Sequence, residues 1–187
     1  MHQIVNKPPQ GFTIIELVIA FVIMGVLAAL ATPSMMNWIL RTSVRSASEF
    51  YAEGLQMARV EAIRRNVSTR FVIGTPDTNG WAIDWCQATS NQPCDEAGTW
   101  NNIVQRSGTA FDNISISYCP GGSNEVDFTS LGWVNTQFII PMAAVRIMPS
   151  TSEVRSSQVE IPLSGIPMIC SPEAVDGDSR VCQVVCP

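Results

Sequence analysis

Acid–base and nucleophilic chemistry needs residues that this 187-residue chain almost lacks. Its only His (His2) and only Lys (Lys7) both lie in the first seven residues, so neither survives if that end is removed. No G-x-S-x-G element and no glycine-rich phosphate loop is present. Acid pairs occur at Asp95-Glu96 and at Asp176/Asp178, in polar stretches where carboxylates stay solvated and offer at most a weak cation site. No enzymatic activity and no cofactor is therefore expected. The other reactive group is the thiol, and all six cysteines (Cys86, Cys94, Cys119, Cys170, Cys182, Cys186) lie at or beyond position 86. Without a repeated C-x-x-C or a retained His, a metal site is not expected. An even number of Cys in a segment rich in Ser, Asn, Gly and Pro suits disulfides in an oxidising compartment. Six cysteines allow 15 pairings. The close spacing favours Cys86–Cys94, with Cys119 joined to one of the three later cysteines, each bond contributing about 2–4 kcal/mol.

The residue with the most to explain is Glu16. It lies in the run Phe12–Ala31, FTIIELVIAFVIMGVLAALA, which holds no other charge and at about 1.5 Å per residue spans the ~30 Å core of a bilayer. A carboxylate in such a span costs roughly 2.5–3.5 kcal/mol on insertion scales. A removable signal peptide is the main alternative, but the run is long, no clean A-x-A site ends it, and apolar periodicity continues past Pro33. Ahead of it, MHQIVNKPPQG carries Lys7 and no acid, and no basic residue follows until Arg41, which directs the C-terminal side outward. No Lys, Arg or His lies between Phe12 and Leu40, so Glu16 has no intrahelical partner. Hydration near the interface is one answer. The other is a cut after Gly11, which frees a positive amine at Phe12 that could neutralise Glu16 of a staggered neighbour.

Gly11-Phe12-Thr13-Ile14-Ile15-Glu16-Leu17, the apolar run and Pro33 together resemble the class III signal of type IV prepilins and type II secretion pseudopilins. A plain single-pass anchor would share the apolar run but would need neither Glu16 nor the Gly-Phe junction. The resemblance implies that a prepilin peptidase cleaves between Gly11 and Phe12 and N-methylates Phe12, and that Glu16 assists filament assembly. It also implies as partners other major and minor pilins or pseudopilins, an inner-membrane assembly platform, and membrane lipid before assembly. The implied location is the bacterial inner membrane, single-pass with a periplasmic C-terminal domain, followed by incorporation into a pilus or pseudopilus.

Beyond Pro33, apolar or small residues at Met36, Leu40, Val44, Ala47, Tyr51, Leu55, Ala58 and Ala62 keep one helical stripe. The helix is expected from about Phe12 to Asn66, roughly 80 Å at 1.5 Å per residue. Arg45/Glu49 and Glu61/Arg65 can pair on its surface for a few tenths of a kcal/mol. Arg64, Arg65 and Asn66 suit its C-terminus. Pro33 is expected to kink or locally melt it, with Gly54 as a second weak point. After Asn66 the pattern turns to period two through Ile73, and Asn79-Gly80 leads to Trp81, Ile83 and Trp85 as in a hairpin. Short runs follow at 103–105, 114–118, 126–128, 138–140, 145–147 and 159–161. Trp81, Trp85, Trp100 and Trp133 are expected in the core.

The expected fold is α+β, a long N-terminal transmembrane-to-periplasmic helix packed on an antiparallel β-sheet or small β-sandwich. Its parts are a cleaved leader (1–11), a transmembrane half-helix (12–33), a periplasmic half-helix (34–66) and a disulfide-containing β-rich domain (67–187). The segment Val126-Asp-Phe-Thr-Ser-Leu-Gly-Trp133 is similar to the strand-turn element of the GspH/FimT group of minor pilins and pseudopilins. That likeness implies a minor subunit that helps initiate or cap a type IV pilus, used in twitching motility or adhesion. A type II secretion minor pseudopilin is the first alternative, and a FimT-like DNA receptor the second. The DNA-receptor members carry a basic G-R-x-R element near the C-terminus, whereas this tail reads Asp176-Gly-Asp-Ser-Arg180-Val-Cys182. One Arg between acids, in a chain of net charge −5, gives little attraction to phosphate, and nucleic acid is not an expected partner. Intact-mass analysis of the membrane-extracted protein is expected to find a chain that begins at Phe12 and carries one added methyl group.

Overall fold

The computed structural model describes residues 11–75, 77–86, 94, 99–111, 113–137, 140–175, 177–184 and 186, with backbone alone for 30–34. Residues 1–10 of the leader, Asp95, Glu96 and Asp176 lie outside the described residues. The first helix, α1, spans Ile14–Arg65. Its backbone is helical through Pro33, so no local melting occurs there. The chain divides into two compact units, Met1–Trp38 and Ile39–Pro187.

In the second unit, α1 buries Leu40, Val44, Ala47, Tyr51, Leu55, Ala58 and Ala62, as the stripe predicts. Met36, expected to begin that stripe, is instead exposed. Gly54 is no weak point but a close approach. A Cβ there would lie 2.6 Å from Trp81 Cε2 and 2.7 Å from Phe71 Cε2, so only Gly lets these rings lie on the helix. The helix ends in a Schellman arrangement. Asn66 takes φ 55°, its N–H reaches the Ile63 carbonyl (3.3 Å), and the Val67 N–H reaches that of Ala62 (3.2 Å). Glu61 accepts from Arg64 (2.8 Å) and Arg65 (2.7 Å), and Arg45 pairs with Glu49 (2.9 Å).

Two antiparallel four-stranded sheets complete the unit. The first has the order β3 (Asn101–Arg106), β2 (Trp81–Cys86), β1 (Ser68–Ile73), β5 (Glu125–Phe128). The second has the order β4 (Ile114–Cys119), β6 (Ala144–Pro149), β7 (Ser157–Glu160), β8 (Met168–Cys170). Alternation puts Phe71, Ile73, Val145, Ile147 and Val159 into one core with the helix stripe. β8 is short and was not evident from its pattern. In the run at 138–140, Phe138 and Ile139 lie outside the described residues, and Ile140 is exposed and outside any strand. Among the tryptophans Trp81 is fully buried, Trp85 and Trp100 are half-buried, and Trp133 is exposed.

The β1–β2 connection is also longer than a two-residue hairpin, occupying residues 74–80. Asp77 organises it. Its carboxylate accepts from the N–H groups of Asn79 (3.1 Å) and Gly108 (3.1 Å) and from the Ser107 hydroxyl, tying this turn to the β3–β4 connection. These bonds, that of Ser107 first, hold the Asp77 carboxyl below its usual range. Tyr51 donates from the helix to the Asn79 carbonyl (2.5 Å), and burial, then the Asp77 charge, pushes its phenol well up.

On the other face of β1, Arg70 grips Asp127 with two bonds (2.7 and 3.0 Å), reaches Glu125 (3.3 Å) and lies 4.1 Å over the Trp100 ring. Both Arg70 and Asp127 are buried. Burial pushes the Asp127 carboxyl up, and the Arg70 bonds oppose it. The three disulfides are Cys86–Cys94, Cys119–Cys186 and Cys170–Cys182. The last two clamp the C-terminal residues over the second sheet. There Arg146 donates to the Cys186 carbonyl (2.9 Å), Gln158 to that of Val184 (2.7 Å), and the Val184 N–H to Glu160 (2.6 Å).

Because breaking a buried ion pair strands its partner, Arg70→Met should lose about 3–5 kcal/mol in a urea titration of the detergent-solubilised chain. Arg70→Met/Asp127→Leu should recover most of that loss. The single variant should regain stability as pH falls, since its folded state then binds a proton at Asp127 more readily than its unfolded state does.

Candidate assembly interface

The residues singled out at the N-terminus, Gly11, Phe12 and Glu16, lie just before and within the first turn of α1. Thr13 caps α1: its Oγ1 accepts the Glu16 N–H (3.3 Å) and its carbonyl the Leu17 N–H (3.3 Å). Glu16 is thereby the third helical residue, in the first turn, where a carboxylate meets the positive end of the helix dipole. The T-x-x-E spacing at 13–16 is the sequence signal for this cap. Gly11 has open space around it and Phe12 is 87% exposed just before the cap. An α-amine at Phe12 would sit one residue from the cap and one turn from Glu16.

From Ile14 to Leu27 the large apolar side chains on every face of α1 are exposed, including Ile14, Leu17, Phe21, Met24 and Leu27. A helix apolar all round needs cover from lipid or from other helices. Among the described residues no helix is long and apolar enough to cross a membrane. The described apolar side chains from Ile14 to Ala29 account for about 24 Å of the ~30 Å required.

Elsewhere the candidate residues are already engaged. Arg180 is held by Asp178 through two bonds (3.1 and 2.7 Å), and its own N–H returns to the same carboxylate (3.0 Å). That pairing, the Arg180 side chain first, holds Asp178 down at about 2. Glu160 lies beside the sulfurs of Cys170 and Cys182, but those two are bonded to each other and the carboxylate already accepts from Val184, so this group is not a free donor set.

A family model described as Type II transport protein GspH matches residues 47–165, and one described as a prokaryotic N-terminal methylation motif matches residues 6–32. A fimbrial protein of Dichelobacter nodosus is 32% identical over 117 residues, covering 57% of this chain and 72% of that protein. The type IV major fimbrial protein FimA of D. nodosus strain VCS1703A is 32% identical over 118 residues with the same coverage. The crystal structure of the type IV minor pilin FimU from Pseudomonas aeruginosa shares the fold, with a TM-score of 0.52 at 16% identity over 72% of this chain and 96% of that one. Extended over most of the folded unit and the N-terminal motif alike, these matches establish that the chain belongs to the GspH family of type IV pilin-like subunits.

Proposed function

We propose that this chain is a minor subunit that helps initiate or cap a type IV pilus, after cleavage between Gly11 and Phe12 and N-methylation of Phe12 by a prepilin peptidase. The observation that carries this reading is the first turn of α1, where Glu16 is exposed among apolar side chains beside the future N-terminus. Before assembly, the segment 12–33 lies in lipid as a single pass of the inner membrane, with the rest of the chain on the periplasmic side. On an assembly platform it leaves lipid by packing against the stems of major and minor pilins. The charged amine of one subunit then meets Glu16 of the next, which removes the cost of a lone carboxylate in an apolar bundle. Pro33, lacking one backbone donor, is the point where the stem can bend to fit. The role is structural, without catalysis or cofactor.

A type II secretion pseudopilus is the second reading, favoured by the description of the matching family. Deleting the chain separates the two: loss of twitching supports the pilus, and retention of exoproteins in the periplasm supports secretion. Nucleic-acid capture has less support, because Arg180 is already neutralised by Asp178. Mobility-shift assays at low salt should show no retardation, and Arg180→Ala should return the Asp178 titration from about 2 toward the usual ~3.9. The sign follows from a lowered folded-state value: this pair stabilises above the ordinary carboxylate range and is lost as pH falls through about 2.

Glu16→Ala should insert and be processed normally, yet its recovery in sheared filaments should fall about tenfold or more, as expected when a buried charge loses its partner. Normal recovery would defeat the role assigned to Glu16.

A further inference from the structure

Lys7 is the only lysine, so ten of the 11 basic side chains are arginines, and all ten lie among the described residues. Eight of them are engaged, in ion pairs or as donors to a backbone carbonyl. The two that form neither a hydrogen bond nor an ion pair among the described residues are Arg41 and Arg155. Far apart in the chain, both line one open pocket of about 450 Å³, together with Glu153 and Val154. Val154, between the exposed Glu153 and Arg155, is buried in the core with Leu40 and Val44. The next residue, Ser156, donates its N–H (3.1 Å) and its hydroxyl (2.8 Å) to Glu173. The β6–β7 loop is therefore fixed on both sides of Arg155, and Arg41 follows Leu40 directly on α1. With Glu153 at the same mouth, the pocket keeps one uncompensated positive charge.

The chain just ahead of the pocket indicates what reaches it. Ile39, about 3 Å along the helix before Arg41, is exposed, and so are Met35, Met36 and Trp38 before it. Exposed apolar side chains with a Trp near their end, followed by Arg, are the pattern of a helix leaving the membrane–water interface. There an Arg lays its stem along apolar groups and keeps its guanidinium among the lipid phosphates. We propose that Arg41 and Arg155 bind the phosphodiester of an anionic phospholipid headgroup, of the phosphatidylglycerol type, in this pocket. The inference deepens the reading that segment 12–33 crosses the membrane, and it rests on that reading. Guanidinium groups meet phosphate oxygens through paired, charge-assisted hydrogen bonds, and one excess positive charge matches one phosphodiester. Glu153 can accept from the glycerol hydroxyls of such a headgroup, whereas a choline headgroup offers no donor. A headgroup held there would tether the globular unit to the lipid surface until the stem leaves it.

The test places the full-length chain in nanodiscs of equal parts phosphatidylglycerol and phosphatidylcholine and counts, by native mass spectrometry, the lipids that stay bound on release. Phosphatidylglycerol should outnumber phosphatidylcholine on the wild-type chain about tenfold or more, as two arginine contacts to an anionic lipid require. Arg41→Gln/Arg155→Gln should abolish that preference without changing the melting temperature, while Arg45→Gln, at an exposed arginine already paired with Glu49, should leave it intact. Equal retention of the two lipids by the wild-type chain, an unchanged preference in the double variant, or its equal loss in Arg45→Gln would overturn the inference. So would a preference erased by excess inorganic phosphate, which would mark the pocket as a site for a soluble anion. Flotation with liposomes separates this inference from the reading beneath it. A wild-type chain that does not float refutes membrane insertion, whereas one that floats but shows no headgroup preference refutes the lipid site alone.

Discussion

A carboxylate set among apolar side chains, with no cation within reach among the described residues, is the constraint on which the rest of this molecule turns. Glu16 is held in place by ordinary helix physics, since Thr13 caps the turn and the dipole favours an acid at that position. Those terms are worth about 0.3–2 kcal/mol and do not offset full transfer of a charge into lipid or an apolar bundle. In the proposed assembly the balance comes from a cation at the N-terminus of a neighbour, at the right depth to meet Glu16.

One helix changes its pattern along its length. From Ile14 to Leu27 it is apolar on every face and buries nothing within its own chain. From Leu40 to Ala62 it is amphipathic, and its stripe closes the core of a two-sheet unit. In the second half several buried or loop-forming polar groups are settled locally. Arg70 and Asp127 neutralise each other, Asp77 gathers two turns, and the C-terminal residues are clamped by two disulfides. Leu131, Leu163, Ile140 and Val175 are among the large apolar side chains that this unit leaves exposed.

What could be read from the chain directly was whatever depends on local spacing. The stripe from Leu40 to Ala62, the left-handed Asn66 and the Gly11–Glu16 cluster are all contained within a few turns, so period and residue type suffice. The cap at Thr13 was readable in the same way from its T-x-x-E spacing. Features set by register between distant strands were not. Arg70 meets Asp127 only because β1 pairs with β5, and nothing near either residue signals the other. Trp133 follows a left-handed glycine in a tight turn, which carries it to the surface despite its type. Gly54 looks like a helix breaker until Trp81 and Phe71 are placed against it. β8 is three residues long, too short for alternation to mark it.

The pairing of Glu16 with a neighbour's amine can be interrogated directly in assembled filaments with a lipid-soluble carbodiimide, which joins a carboxylate to an amine only when the two are in contact. Peptide mass mapping should find an amide between Glu16 and the N-terminal residue of another subunit. Filaments that contain the chain but yield Glu16 without any interchain amide would contradict the account.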